Sequence, residues 1–298
     1  MSRNILVTGA TGLTGRQTTD ILLSRGFEVR AFVHKADERS EKLKALGADI
    51  FVGDLLDFDA VGAALRGMNA AYFIYPIAPG LINATAYFAQ ASKESRLDGI
   101  VNMSQKSARE NAKSHAARDH WIGERVFDWS GVPTTHIRPT FFAEWLTYPV
   151  NRLPMLERGA ISLPLGSGRH APIASHDQAR FIAAVLADPA PHAGKIYPLC
   201  GPVELDQAGI GKAIGEVIGR TVGYEPISID AWRQRLEGNG ASPFLVQHLS
   251  MVAQDYQDGV FAGTDDIIGP VTGRSPMTVQ EFVSAHVDLF RPAAQSRI

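Results

Sequence analysis

Residues 4–15 read NILVTGATGLTG, an apolar run that leads directly into a loop with three glycines. A helical pattern follows at once, so strand, glycine loop and helix occur in the order that a dinucleotide-binding fingerprint requires. Gly9 allows a sharp turn after the strand, Gly12 lets backbone amides approach a pyrophosphate, and Gly15 permits close packing of the helix on the strand. The positive N-terminal end of that helix would face the phosphates. The stretch predicts a dinucleotide site; the alternative is a tight turn that needs glycine only for its backbone angles.

The rest of the first half continues as alternating strands and helices. Five further β-forming runs, separated by helical patterns, are predicted as strands: Glu28–Val33, Ala48–Gly53, Ala70–Tyr75, Gly99–Met103 and Thr134–Arg138. Alternation of this kind predicts a parallel sheet with helices on both faces. The predicted fold class is therefore α/β, a Rossmann-like doubly wound parallel sheet, with residues 1–150 as its NAD(P)-binding domain.

The alternation breaks beyond Pro139. Prolines 149, 154 and 164 and the turn Gly166-Ser167-Gly168 indicate loops and short strands, and helical patterns return from Asp177. We expect residues 151–298 to form a smaller C-terminal α/β lobe that binds the substrate, with some of its segments returning to the Rossmann sheet.

Two later motifs are interpreted as structural. Gly211, Gly215 and Gly219 are spaced four residues apart, which places them on one helix face and permits close packing, unlike a second dinucleotide fingerprint. Ser175-His176-Asp177 contains the residue types of a hydrolase triad, but adjacent side chains point in different directions. We expect Asp177 to cap the helix that follows.

The composition limits the classes of partner. A net charge of −2 gives no electrostatic attraction to nucleic acid or to an anionic membrane surface, and no apolar run approaches the ~18 residues of a membrane span. The single cysteine, Cys200, excludes an internal disulfide, and the histidines lack metal-binding spacing, so we expect no metal site. These features predict a soluble cytoplasmic protein that acts on a small molecule, and they leave assembly into a homodimer open.

The end of the second predicted strand, Val33-His34-Lys35, distinguishes between the two dinucleotides. An acidic side chain there hydrogen-bonds the ribose 2′-hydroxyl of NAD, whereas a basic one accommodates the 2′-phosphate of NADP. Lys35 and Arg39 supply positive charge, which predicts NADP(H) in preference to NAD(H). The nearby acids Asp37 and Glu38 keep a second interpretation open, that of a solvated charged loop.

Several stretches together resemble a known family. Residues 9–15 resemble the GxxGxxG loop of extended and atypical short-chain dehydrogenases/reductases, and three later stretches narrow the match: His120–Glu124, Thr135–Phe142 and Gly194–Tyr197. Together they are similar to the NmrA-like family. Within that family, the His-x-x-x-Glu helix is similar to that of bacterial NAD(P)H:quinone oxidoreductases and triphenylmethane-dye reductases. The resemblance covers nearly the whole chain and is more specific for fold and cofactor than for substrate.

The resemblance implies where a cofactor would lie. The glycine loop would hold the pyrophosphate, the end of the second strand would meet the 2′-phosphate, and the ends of later strands would line the adenine and the nicotinamide. The cofactor-binding residues expected on these grounds are Gly9, Thr11, Gly12, Leu13, Thr14, Gly15, His34, Lys35, Arg39, Asp54, Leu55, Tyr75, Pro76, Ile77, Ser104, Gln105, His120, Pro139, Thr140 and Phe141.

A departure from the wider family narrows the chemistry. Short-chain dehydrogenases normally reduce carbonyls with a Tyr-x-x-x-Lys pair, but Ala116 and His120 stand at the matching positions here. Hydride delivery to a ketone makes an alkoxide, which resembles hydroxide in its strong basicity, so that oxygen needs an enzymatic acid. Delivery to a quinone makes a phenolate-like anion with a pKa of about 10, which solvent can protonate. The missing pair therefore favours a quinone or a similar conjugated acceptor.

His120 is the candidate catalytic residue, as a substrate-orienting group or a proton relay. The alternative is a helix histidine that hydrogen-bonds the backbone or Glu124. Four aromatic residues are expected either to wall a flat substrate pocket or to pack a core: Phe141, Phe142, Trp145 and Tyr148. The sequence predicts an NAD(P)H-dependent reductase, and the alternative is a non-catalytic NADP(H)-sensing regulatory protein of the NmrA-like type. A third function, an isomerase or epimerase that uses bound NAD, is disfavoured by the missing Tyr/Lys pair.

Overall fold

The structure, a computed structural model, describes residues 3–290. Its strands, in chain order, are β1 Asn4–Val7, β2 Glu28–Val33, β3 Asp49–Val52, β4 Ala70–Phe73, β5 Gly99–Met103, β6 Thr134–Pro139, β7 Ala160–Ile161, β8 Arg169–His170, β9 Ile196–Leu199, β10 Leu205–Asp206 and β11 Gly223–Tyr224. Its helices are α1 Leu13–Ser24, α2 Glu38–Ala45, α3 Phe58–Leu65, α4 Leu81–Glu94, α5 His115–Ser130, α6 Pro149–Arg158, α7 Ser175–Ala187, α8 Gln207–Ile218, α9 Ile229–Gly238, α10 Pro243–Gln257, α11 Ile268–Thr272 and α12 Val279–Ala285. Short 3₁₀ turns cover Ala143–Thr147, Ala190–His192 and Val287–Phe290.

Seven strands form one sheet in the order β3-β2-β1-β4-β5-β6-β9, and every neighbouring pair is parallel. The strand order reverses beside β1, because β2 lies on one side of it and β4 on the other. This is the doubly wound α/β sheet that the sequence predicts. In such sheets the crevice at the reversal point, outside the carboxyl ends of the strands, is where ligands bind.

Apolar residues fill both faces of this sheet. On one face, Leu6 belongs to a buried cluster with residues of α3, α4 and α5, in which the Phe73 ring lies 4.9 Å from that of Phe88 and 5.3 Å from that of Phe127. Ile5 and Val7 are also fully buried and, by strand alternation, point to the other face. There α1 and α7 pack against each other. Each face of the sheet is thereby removed from water.

The contacts within the chain divide it into two compact units, neither of which is continuous in sequence. The first unit comprises residues 3–139, 175–199 and 267–274, and the second comprises the intervening stretches up to residue 290. These bounds differ from a single division at residue 150, because residues 140–150 belong to the second unit whereas α7, β9 and α11 belong to the first. Residues 291–298 of the predicted lobe lie outside the described residues, and a substrate-binding role for the second unit stays a prediction.

The second unit is mostly helical. Its two small sheets pair β8 with β10 antiparallel and β7 with β11 parallel. Its apolar core is built by buried side chains of the helices and short strands, among them Ile161, Ile210, Trp232, Val252 and Phe282.

The loop predicted at Pro149 and Pro154 is wrong, because both prolines lie in helix α6. Pro149 occupies the first turn, where the missing N–H has no intrahelical partner in any case. Pro154 lies inside the helix, next to Met155, which is buried in the core of the second unit. Burial of this helix face outweighs the local penalty of the internal proline.

The predicted cap at Asp177 is also wrong. Helix α7 begins two residues earlier, at Ser175, so Asp177 lies within its first turn. Its carboxylate accepts a hydrogen bond of 2.6 Å from Nη2 of Arg180, one turn later on the same helix. Asp177 therefore stabilises the helix as one half of a buried ion pair.

Helix α8 packs closely through two of its three spaced glycines. A Cβ on Gly211 would lie 2.6 Å from the Val222 carbonyl oxygen, and one on Gly215 would lie 2.6 Å from the Arg220 carbonyl oxygen. Gly219 has a different role, because its φ of 71° closes the helix in the left-handed region. The packing interpretation of Gly211 and Gly215 thus agrees with the structure, and Gly219 is a helix end.

We predict that Gly211→Ala lowers the free energy of unfolding by about 2 kcal/mol, because backbone must move to make room for the methyl group. Gly238→Ala is the matched control: Gly238 is also helical, and a Cβ there meets no atom within 4 Å. That change is expected to add about 0.5 kcal/mol through helix propensity. Denaturant unfolding measures both, and equal effects of the two substitutions would contradict the packing role.

Candidate functional site

The loop after β1 has the backbone geometry that a dinucleotide fingerprint needs. Gly9 has a φ of 55°, in the left-handed region, and its carbonyl oxygen accepts a hydrogen bond of 2.8 Å from the Gly12 amide. A Cβ on Gly15 would lie 2.3 Å from that same oxygen, and a Cβ on Gly9 would lie 2.7 Å from the Ile74 side chain. The chain therefore fits here only without side chains at these positions.

The N-terminus of α1 is open at this loop. Gly12 is the N-cap, no side chain caps the helix, and the first turn carries no acid. The first amides of a helix have no intrahelical partners, so this end is suited to receive an anion. The Thr14 hydroxyl lies 2.9 Å from the Tyr72 hydroxyl, so it contacts β4. An open helix end in a cradle that a Cβ would fill fits the pyrophosphate of a dinucleotide.

Beyond β2, the structure separates the two predicted basic residues. Nη2 and Nε of Arg39 donate to Oδ2 of Asp37 at 2.6 and 3.1 Å, and this pairing holds the pKa of Asp37 below its usual range. Asp37 also caps α2 in a reciprocal capping box with Ser40. Lys35 and His34 are exposed, and Lys35 makes no hydrogen bond or ion pair with the described residues. Lys35 therefore has no contact that an anion would have to displace, whereas the exposed Arg39 is paired with Asp37.

The ends of β1 and β4 are tied together at the reversal point of the sheet. The Thr8 hydroxyl donates to the Ile74 carbonyl at 3.2 Å and accepts from the Ile74 amide at 2.9 Å. After β4, the Tyr75 hydroxyl donates to the Pro79 carbonyl at 3.0 Å. Partial burial, with a smaller effect of the Asp54 charge, raises the pKa of Tyr75. These bonds fix the start of the loop that holds Pro76 and Ile77.

Asp54 and Leu55 follow β3 on the other side of β1. The Asp54 carboxylate accepts from the Leu56 amide at 2.9 Å, which shapes the turn, and Leu55 is half-buried. Both residues therefore lie at the carboxyl edge of the sheet, on the side of β2 and β3. Their predicted contact with adenine stays a prediction.

A buried charged network lies at the end of β5. The Ser104 hydroxyl donates to Oε1 of Glu124 at 2.6 Å, and Nε of Arg138 donates to the same oxygen at 2.8 Å. Nη2 of Arg138 donates to Oε2. Glu124 has no exposed surface, so the bidentate arginine compensates a charge that is otherwise costly to bury. This network joins β5, α5 and β6.

His120 lies on the same face of α5, one turn before Glu124, and is 5% exposed. Ala116, at the position matching the family tyrosine, is buried. Gln105 follows Ser104, and its Oε1 accepts from the Ser107 hydroxyl at 2.8 Å. Nε2 of Gln105 is a buried donor without a partner among the described residues, which is a polar atom that a ligand carbonyl would satisfy.

The residues after β6 divide between the units. Pro139 ends β6, and its carbonyl accepts from the Lys106 amide at 3.1 Å. Thr140 is buried in the second unit, and Phe142 forms a single parallel bridge with Ile173. The contacts that a cofactor would make with these residues stay predictions.

Phe141 packs in an aromatic cluster of the second unit. Its ring centroid lies 4.8 Å from that of Phe261, 5.0 Å from that of Trp145 and 5.4 Å from that of Tyr256. Trp145 also lies 6.4 Å from Tyr148, which is exposed. A small apolar pocket of this unit is lined by Phe141, Trp145, Leu163, Pro164, Leu165, Trp232, Leu249, Val252 and Ala253. Phe141 and Trp145 therefore take part in the packing of the second unit, and their expected roles at a ligand stay predictions.

Sequence reasoning did not predict two of the ion pairs at this site, Asp37 with Arg39 and Glu124 with Arg138. Asp37-x-x-Ser40 has capping-box spacing, a signal that Asp37 belongs to a helix end. Arg138 is a charged residue in a strand whose other residues are all buried, which signals a partner. The helix acid Glu124 supplies that partner.

Comparison with known proteins places the chain in a family, because the model of the NmrA-like family matches residues 1–281. This chain belongs to the NmrA-like family. An NAD(P)H azoreductase of Xenophilus azovorans is 28% identical to it over 97% of this chain and the whole of that protein. The NADPH-dependent quinone oxidoreductase QOR2 of Escherichia coli, solved with NADPH, has a TM-score of 0.83 at 23% identity, covering 95% of this chain and 99% of that one. The negative transcriptional regulator NmrA, solved with NADP, has a TM-score of 0.79 at 16% identity, covering 95% and 94%.

The solved structures show that the fold of this NmrA-like chain occurs both in a reductase and in a regulator. Among the helices of the described residues, none combines the length and the apolar character that crossing a membrane requires.

We predict that Arg138→Met lowers the free energy of unfolding by about 3 kcal/mol, because it leaves the buried Glu124 carboxylate without its bidentate partner. The double variant Arg138→Met/Glu124→Leu should regain part of this loss. Arg125→Met is the matched control: Nη2 of Arg125 lies 3.8 Å from Glu124, its side chain is 31% exposed, and it pairs mainly with Asp128. It should cost less than about 1 kcal/mol. Equal losses for Arg138→Met and Arg125→Met in denaturant unfolding would refute the assignment.

Proposed function

We propose that this chain is an NAD(P)H-dependent reductase that transfers hydride to a quinone or a similar conjugated acceptor, with NADP(H) preferred over NAD(H). The observation that carries the proposal is α5, where Ala116 and His120 stand at the positions of the tyrosine and the lysine with which short-chain dehydrogenases reduce carbonyls. The open, glycine-lined start of α1 supports a dinucleotide as the hydride donor. The names of the relatives, an azoreductase and a quinone oxidoreductase, support the same class of acceptor.

The chain supplies binding and orientation. A bound NADPH would supply the hydride. The amides from Gly9 to Gly15 would hold its pyrophosphate, Lys35 with His34 would meet its 2′-phosphate, and Asp54 and Leu55 would flank its adenine. The residues that would line the nicotinamide half are Tyr75, Pro76, Ile77, Ser104, Gln105, His120, Pro139, Thr140 and Phe141.

The acceptor would be held by aromatic contacts and protonated by solvent. Phe142, Trp145 and Tyr148 are proposed as its flat surface. The conjugate acid of a hydroquinone anion has a pKa of about 10, by analogy with the tyrosine side chain. Solvent can protonate such an anion, so the missing catalytic tyrosine does not stop turnover. His120 is proposed to orient the acceptor or to relay the proton, because an imidazole can both donate and accept one.

The first test measures oxidation of NADPH by the loss of nicotinamide absorbance with quinones, azo dyes and simple ketones. We expect turnover with quinones or dyes and none with ketones, because reduction of a ketone requires the tyrosine–lysine pair whose positions Ala116 and His120 occupy. Tight NADPH binding without turnover of any quinone or dye would exclude the reductase. It would favour the alternative function, a non-catalytic NADP(H)-sensing regulator, which the solved NADP complex of the regulator NmrA supports.

The second test addresses the cofactor. Lys35→Ala should weaken NADPH binding about tenfold and NADH binding less than about twofold, because only NADPH carries the charged 2′-phosphate. Arg39→Ala is the control and should change NADPH binding by less than about threefold, since its guanidinium already contacts Asp37. Dissociation constants from cofactor fluorescence measure both. A larger effect of Arg39→Ala than of Lys35→Ala would reverse the assignment.

The setting of the reaction follows from the composition. A net charge of −2 supports a small aromatic substrate over nucleic acid, and the single cysteine is compatible with the reducing cytoplasm that we propose as its location. A homodimer is proposed as one form of assembly, which the molar mass in solution would test.

A further inference from the structure

The buried network at the end of β5 fixes the position of one proton. A guanidinium only donates hydrogen bonds, so both oxygens of Glu124 accept from Arg138, as an ionised carboxylate does. The second guanidinium, that of Arg125, lies 3.8 Å from the same carboxylate and favours the same charge. The proton between Ser104 and Glu124 therefore belongs to the serine. The separation of 2.6 Å is typical of a hydroxyl that donates to a charged oxygen.

This arrangement sets the polarity of Ser104. A serine hydroxyl has one proton and two acceptor lone pairs, and here the proton is directed to Glu124. If the hydroxyl turned its proton toward a ligand, the Glu124 carboxylate would lose a charge-assisted hydrogen bond. That loss is costly because the carboxylate has no exposed surface. Ser104 therefore offers only lone pairs to a ligand, which must itself present an N–H or O–H group.

The placement of Ser104 indicates which ligand group this is. The open end of α1 lies beside β1, where the strand order reverses, so the two halves of a dinucleotide extend toward opposite sides of that strand. Lys35, at the end of β2, marks the side of the 2′-phosphate. Ser104 follows β5, on the opposite side, where the nicotinamide half would lie.

We propose that Ser104 accepts a hydrogen bond from the carboxamide amino group of the nicotinamide, and that Glu124, held by Arg138, is the positioning residue that enforces this polarity. The inference rests on the proposed dinucleotide function and deepens it. It also means that Ser104 gives no proton to the acceptor. This agrees with a substrate that receives its proton from solvent after reduction.

The test compares the binding of NADP⁺ with that of its 3-acetylpyridine analogue, which has a methyl group in place of the carboxamide amino group. Calorimetric dissociation constants require no turnover. We expect the wild-type chain to bind NADP⁺ about fivefold more tightly, the worth of one neutral hydrogen bond. Ser104→Ala should reduce this preference to about one, and Ser104→Thr, which keeps the hydroxyl, should retain it.

Ser92→Ala is the matched control. Ser92 is a buried serine of α4 whose hydroxyl has no partner among the described residues, so its removal should leave the preference at about fivefold. Glu124→Gln replaces the charged acceptor of the serine proton with a neutral one, which holds that proton less strongly, and should also lower the preference toward one. If that variant does not fold, as judged by circular dichroism, the comparison of Ser104→Ala with Ser92→Ala decides.

The outcomes separate the two proposals. A wild-type chain that binds neither dinucleotide overturns the proposed function and this inference with it. Equal binding of both dinucleotides by the wild type, or an undiminished preference in Ser104→Ala, overturns the inference alone. A preference that is lost in Ser104→Ala and kept in Ser104→Thr and Ser92→Ala supports it.

Discussion

The close approach of α1 to the Gly9 carbonyl is the constraint on which the candidate site depends. With any side chain at position 15, the helix would have to withdraw from the loop, and its open end would leave the carboxyl edge of β1. The same loop contacts β4, through Ile74 at Gly9 and through the paired bonds of Thr8 with Ile74. One packing contact therefore places a favourable anion site next to the strand reversal, where a dinucleotide can extend along both sides.

Much of the first unit could be predicted from sequence, because strand, turn and helix signals there are local and agree with the packing. The second unit shows the limit of local signals. Pro154 marks a break in the sequence pattern, yet α6 continues through it because Met155 is buried. Asp177 has the chemistry of a cap, but the helix starts earlier and the carboxylate pairs with Arg180. The spacing of residue types along the chain does not show where a helix ends when tertiary packing of its side chains decides its length.

In the candidate site, too, some features could be predicted from local sequence and others depend on distant contacts. The glycine roles follow from backbone sterics and could be assigned from the motif. The electrostatic state of the charged residues could not, because it depends on which partner each one meets. Arg39 is neutralised by a neighbour two residues away, whereas Glu124 is held by Arg138 from another element. Only the structure shows which of these side chains already have partners among the described residues, and the cofactor contacts that the family resemblance implies stay predictions.

The discontinuity of the first unit has a consequence for synthesis on the ribosome. When β6 has emerged, its pairing partner β9 and the helix α7 that packs on α1 have yet to be translated, and the first stretch of the second unit comes before them. The nascent sheet therefore has an unpaired edge at β6 and an incompletely covered face during that interval. Such edges recruit other strands. We therefore expect translation speed across residues 140–199 and chaperone access to the nascent chain to influence its yield.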